Sequence, residues 1–386
     1  MSERVDVVVV GLGALGSAAC LEVARRGQRV VGLERFELGH SRGASHDTSR
    51  ILRHSYHTPA YVRLTQQAYV DWAQVEQDSG ERLVTRVGGL DLFPPDPAIS
   101  PVEYVESLEA VGIDFEMLDV AEVARRWPQF RLPEGTRALH QADAAIVPAA
   151  RGTRAMQDAA RRLGADLREL TPVVDVADGG DRLEVTTPTG VLRCRRLVVC
   201  ADAWANDVLT DLGVRVPLEV TLEQVTYFAP ERPEDFAPGQ MPLWIWMDDP
   251  SFYGFPTYGE PTVKAAQDCG GPRVDPDRRT SDPDPVMLAR LAEHVHRMLP
   301  GAGNAVRSLR CQYTLTPDRD FVISSVPGHE SVVVGLGAAH GFKFAPTIGR
   351  LLADLALEGG TRMDVSPWRM DRPGLTDPAY DAHWLV

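Results

Sequence analysis

The feature that most restricts this chain lies in its first 34 residues. A β-branched run over 5–10 leads into Gly11-Leu12-Gly13-Ala14-Leu15-Gly16. Helical spacing follows over 14–26, a second apolar run covers 29–33, and Glu34 closes it. A continuous β-branched run reads as a strand buried on both faces, so the pattern predicts strand, tight turn, helix and parallel strand. In that setting Gly11 permits the turn, Gly13 lets a pyrophosphate approach the backbone, and Gly16 lets helix and strand pack closely. The N–H groups opening the helix favour phosphate by about 0.3–1 kcal/mol per charge. Glu34 suits a ribose diol and repels a 2′-phosphate. The reading is a dinucleotide site. These residues leave NAD and FAD open; sheet segments that return near the C-terminus favour FAD.

Further along, helices are predicted at 59–80, 120–127, 151–163, 285–299 and 346–357. Strands are predicted at 88–93, 173–176, 182–187, 191–199, 218–228 and 332–334, with a β-rich stretch at 243–264. The Pro-rich turn at 94–97 marks entry into a second unit. The expected fold class is α/β: a Rossmann-like FAD-binding domain built from 1–85, 145–215 and 325–386, with an inserted mixed β-sheet substrate domain from 86–144 and 216–324.

Charge and cysteine usage exclude some classes. The 54 acidic residues outnumber the 40 basic ones, giving a net charge of -14, which argues against a nucleic-acid partner. Cys20, Cys194, Cys200, Cys269 and Cys311 include no CxxC pair, so neither a disulfide framework nor a metal site is expected, and a cytoplasmic location fits. The apolar stretch 7–21 is broken by three glycines and stops at Glu22, so no membrane span is expected.

Several later motifs carry chemistry. His46-Asp47-Thr48 leads to Arg50-Ile51-Leu52-Arg53-His54, and Tyr253-Gly254-Phe255-Pro256 leads to Lys264. Arg310-Cys311-Gln312-Tyr313-Thr314 and His340-Gly341-Phe342-Lys343-Phe344 follow. In an extended segment Cys311 and Tyr313 share a face, which puts a thiol and a phenol beside the same ligand. Taken in order with the N-terminal turn, these motifs resemble the monomeric sarcosine oxidase family, within the D-amino-acid-oxidase-like flavoproteins, over essentially the whole length. The resemblance implies FAD attached through a thioether to Cys311, with Gly341, Phe342, Lys343, His46 and Arg50 also lining the flavin. It implies a substrate carboxylate held by Arg53 and Lys343, aromatic walls at Tyr253 and Tyr313, and Lys264 promoting reaction with O2. A carboxylate entering a partly dry pocket needs charge-assisted hydrogen bonds, about 1.5–3 kcal/mol each.

Two departures bear on substrate. Asp268 stands where relatives acting on the smallest substrate carry a histidine, and Trp244 where they carry a methionine. An acid at that position either favours a cationic group on the substrate or merely sits on a loop, and an indole changes pocket volume and offers a π face. The function so implied is oxidation of a secondary or N-alkyl amino acid, with hydride passing from the carbon beside nitrogen to flavin and O2 reduced to H2O2. The expected partners are a small amine or amino acid and O2, with the chain a monomer. A flavin dehydrogenase using another acceptor is the alternative; an NAD enzyme and a non-catalytic flavin binder are weaker ones.

Overall fold

The computed structural model describes residues 3–383, so the first two positions of the expected 1–85 segment and the last three of the expected 325–386 segment lie outside the described residues. The β-branched runs form the central strands of the first sheet. Glu3–Val10 pairs in parallel with Val30–Leu33 on one side and Gly190–Val199 on the other, and Gly190–Val199 pairs in parallel with His329–Leu336. Asp166–Arg168, Asp175–Asp178, Leu183–Thr187 and Val322–Val326 complete eight strands. Val7, Val8, Val9, Val198 and Val333 are fully buried because helices cover this sheet. Ala14–Arg25, Ala149–Arg162 and Ala345–Glu358 contribute that cover.

A second eight-stranded sheet runs in the order Asn304–Leu315, Glu219–Ala229, Val263–Gln267, Phe252–Phe255, Leu243–Trp246, Gly89–Phe93, Arg137–Gln141 and Glu116–Leu118. Sequence periodicity missed its members Glu116–Leu118, Arg137–Gln141 and Asn304–Leu315, and the helix Pro101–Val111, which Ser100 caps by accepting from the Val102 N–H. The β-rich stretch resolves into three strands, 243–246, 252–255 and 263–267. Arg50–Leu52, Ala145–Val147 and Thr85–Arg86 form a small third sheet. Among the described residues no helix is long and apolar enough to cross a membrane.

Side chains alternate along a strand, so pairing register decides which residues share a face. Asp91 lies opposite Ile245, Ile245 opposite Tyr253, Phe255 opposite Lys264, Lys264 opposite Tyr227, Glu223 opposite Cys311, and Thr221 opposite Tyr313. One face of the second sheet therefore carries all of these. Trp244 pairs with Gly254 and Leu90 and belongs to the opposite face.

Candidate active site

A cavity of about 600 Å³ runs from the carboxyl ends of the first sheet's strands to that face of the second sheet. At the dinucleotide end Gly11 adopts φ 88°, and a Cβ there would stand 2.5 Å from the Cys200 carbonyl oxygen. A Cβ on Gly16 would stand 1.8 Å from the Gly11 oxygen, so helix and turn meet there at backbone distance. Gly13 lines the cavity and opens Ala14–Arg25. Glu34 also lines it. Its carboxylate accepts the Leu12 N–H at 2.8 Å and the Phe36 N–H at 3.1 Å. Burial pushes its pKa up, but His40 and those two N–H groups outweigh this and hold it below the usual range.

Farther in, His46, Arg50, Cys311, Gly341, Phe342 and Lys343 line the same cavity. The Arg50 guanidinium donates to the backbone carbonyls of Ala44, His46 and Ser49 at 2.8–2.9 Å. His46 Nε2 is buried without a hydrogen-bond partner among the described residues, and burial with the nearby Arg50 charge lowers its pKa to about 4. A buried orphan of that kind calls for a polar ligand. The Cys311 thiol is 6% exposed; burial raises its pKa while Arg50 and Lys264 oppose the rise. Tyr253 and Tyr313 meet at 3.4 Å between hydroxyls. A glycine cradle, an orphaned imidazole and a thiol on one continuous cavity fit a flavin dinucleotide.

Beyond this lies a chamber of buried charge. Arg53 donates to Asp91 and, at 3.3 Å, to Ser55, which itself donates to Asp91. Lys343 Nζ donates to the Tyr56 hydroxyl at 2.9 Å and the His340 carbonyl at 3.1 Å. The Arg53 guanidinium stands 5.3 Å from the Tyr56 ring centre, so one phenol joins the two cations. Burial, together with the Arg53 and Arg319 charges, pushes the Lys343 ammonium well below its ordinary range. Lys343 makes no ion pair with a carboxylate among the described residues, whereas Arg53 and Arg319 each have one. Sequence reasoning assigned no part to Tyr56, Asp91 or Arg319. An acid inside the apolar strand Gly89–Phe93 was the available signal for Asp91; Arg319 sits in a loop with φ 57° and offered none.

Lys264 stands one layer behind the wall. Its Nζ donates to Asp47 at 2.5 Å and to the Ser49 carbonyl at 3.1 Å, and lies 5.2 Å from the Phe255 ring centre; Asp47 and Phe255 line the cavity. Trp244 requires a correction. It is fully buried on the far face, and a Cβ on Gly254 would sit 2.5 Å from its indole. Strand alternation brings Ile245, not Trp244, to the cavity.

An α/β dinucleotide fold whose cavity runs from a glycine cradle to buried cations fits a flavin-dependent oxidoreductase. The chain belongs to the DAO family of FAD-dependent oxidoreductases, whose model matches residues 6–355. It is 35% identical to "Monomeric sarcosine oxidase" of Streptomyces avermitilis, covering 98% of each chain. It is 30% identical to human "Peroxisomal sarcosine oxidase", covering 95% of this chain and 96% of the relative. A solved structure of NikD, described as an unusual amino acid oxidase essential for nikkomycin biosynthesis, superposes with a TM-score of 0.85. It is 28% identical and the match covers 95% of this chain and 98% of that one. The NAD reading falls with the family assignment.

Proposed function

We propose that the protein oxidises the C–N bond of a secondary or N-alkyl amino acid, with FAD joined to Cys311 and O2 as the electron acceptor. The observation that carries the reading is Lys343, a buried amine whose hydrogen bonds among the described residues go to neutral oxygens, over the cavity that Cys311 lines. A substrate carboxylate arriving there supplies the missing negative charge. Arg53, aimed and neutralised by Asp91, adds planar donors for the same carboxylate. FAD, when bound, would supply the two-electron oxidant, with O2 as the proposed final acceptor. Gly11, Gly13, Gly16 and Glu34 would hold its dinucleotide end, and His46, Arg50, Cys311, Gly341, Phe342 and Lys343, on the same cavity, would hold its ring.

The work of the protein is then placement. Lys343 and Arg53 fix the carboxylate, which orients the carbon next to nitrogen, while Tyr253, Tyr313 and Ile245 exclude water. Lys264, held by Asp47, keeps a positive charge beside the wall where negative charge develops on oxygen. The reading takes the enzyme as a monomer in the cytoplasm; five cysteines, none of which is in a disulfide, fit the reducing compartment.

The test is a panel of sarcosine, bulkier N-methyl amino acids, proline and pipecolate, each beside the matching amine without its carboxylate. Anaerobic bleaching of the yellow protein by members of the first set, and peroxide release in air, is the expected result. Bleaching by the amines alone would overturn the carboxylate site. Bleaching without peroxide in air would assign the electrons to another acceptor.

A further inference from the structure

The chamber holds two arginine–aspartate pairs that differ in which partner meets the cavity. In the Arg53–Asp91 pair the carboxylate is sealed at 3% exposure and is absent from the lining, while the guanidinium faces inward. In the Arg319–Asp268 pair both residues line the cavity, and Asp268 is the more open partner, at 18% against 3%. Asp268 follows the strand Val263–Gln267 and is fixed by its own N–H, which donates to the Ser251 carbonyl at 2.9 Å. Both its carboxylate oxygens accept from a single nitrogen, Arg319 Nη2, at 2.9 and 2.7 Å. A carboxylate has about four lone-pair sites, so this one is anchored yet still able to accept. It faces the same space as Lys343 and the Tyr56, Tyr253 and Tyr313 phenols, on all of which its charge acts.

We infer that Asp268 is the anionic half of the amino-acid site: it receives the cationic nitrogen of the substrate while Lys343 receives the carboxylate, so the chamber selects zwitterions. This deepens the proposed function and rests on it. Arg319 has the positioning task. It holds the carboxylate still and limits its pull, so that an ammonium is bound without being locked in place. The same pair explains why a chamber with three buried cations admits a cationic group at all. Without Asp268, an approaching ammonium meets the Arg53, Arg319 and Lys343 side chains with no carboxylate in the Arg319 pair's place to receive it.

Two probes of equal shape separate this from a structural ion pair. N,N,N-trimethylglycine carries a permanent positive nitrogen beside its carboxylate; 3,3-dimethylbutanoate replaces that nitrogen with carbon. Each is titrated into the flavin-loaded protein and followed by the flavin absorbance. The wild type is expected to prefer the cationic probe by about 10-fold or more. Asp268→Asn is expected to erase or reverse that preference while holding 3,3-dimethylbutanoate within about threefold of wild type. A preference that survives Asp268→Asn, or a wild type that binds both probes equally, overturns the inference and leaves the carboxylate site standing. Parallel loss of both probes in the variant overturns it too, since Asp268 would then only maintain shape. A wild type that binds neither probe removes the carboxylate site, and this inference with it.

Discussion

Lys264 donates to Asp47 across 2.5 Å with both side chains almost wholly buried, and Tyr227 donates to the other oxygen of the same carboxylate. Burial lowers the Lys264 pKa to about 8 even though Asp47 pulls it back up. Burial pushes Asp47 the other way, but the Lys264 and Arg50 charges prevail and hold it at about 2. The ammonium is charged below pH 8 and loses its proton above it. Oxygen reactivity that depends on this charge should therefore fall as pH rises through about 8. Asp47→Asn removes the raising influence and moves that fall to lower pH. Stopped-flow reoxidation across a pH series reads both. Lys264→Met should slow reoxidation by about 10²–10³-fold, with anaerobic flavin reduction changed only a few-fold; equal slowing of both half-reactions would contradict the role.

Arg53 and Lys343 should part company when each becomes methionine. Arg53→Met leaves Asp91 buried beside Ser55 alone, a situation costing about 3–5 kcal/mol. Thermal or denaturant unfolding should register it clearly. Lys343→Met removes a buried amine that has no anionic partner among the described residues, so stability should hold or rise. Substrate affinity should nevertheless weaken by about 10- to 100-fold, the worth of one charge-assisted hydrogen bond. A destabilised Lys343→Met variant with unchanged KM would reverse the assignment.

Cys311→Ser tests the covalent link. The side chain changes by one atom on a buried strand, and the cavity keeps its shape. Yellow colour should stay with acid-precipitated wild-type protein and pass into the supernatant for the variant. Colour in the wild-type supernatant would show a flavin held without a bond.

Ile245 and Trp244 are adjacent and should behave oppositely. Ile245→Ala enlarges the chamber, so relative kcat/KM should shift towards bulkier N-alkyl amino acids. Trp244→Phe acts on the far face, where the indole nitrogen is buried without a partner among the described residues. Its KM values should stay within about threefold, with a stability change of roughly 1–3 kcal/mol. A substrate shift in Trp244→Phe would mean that the face assignment is wrong.

What the chain announces by itself is local. The strand, turn, helix and acid of the dinucleotide site lie within 34 consecutive residues, where backbone sterics and hydrophobic period act over short spans. Gly11 at φ 88° and the shared face of Cys311 and Tyr313 are of that kind. The chamber is different. Arg53 meets Asp91 across 38 positions, Arg319 meets Asp268 across 51, and Lys264 meets Asp47 across 217. None of these pairs has a sequence signature, because a buried charge is matched by whatever the fold brings beside it. Trp244 was misplaced for the same reason. Alternation states that Trp244 and Ile245 point apart, but only the pairing of Leu243–Trp246 with Gly89–Phe93 and Phe252–Phe255 decides which of them faces the cavity.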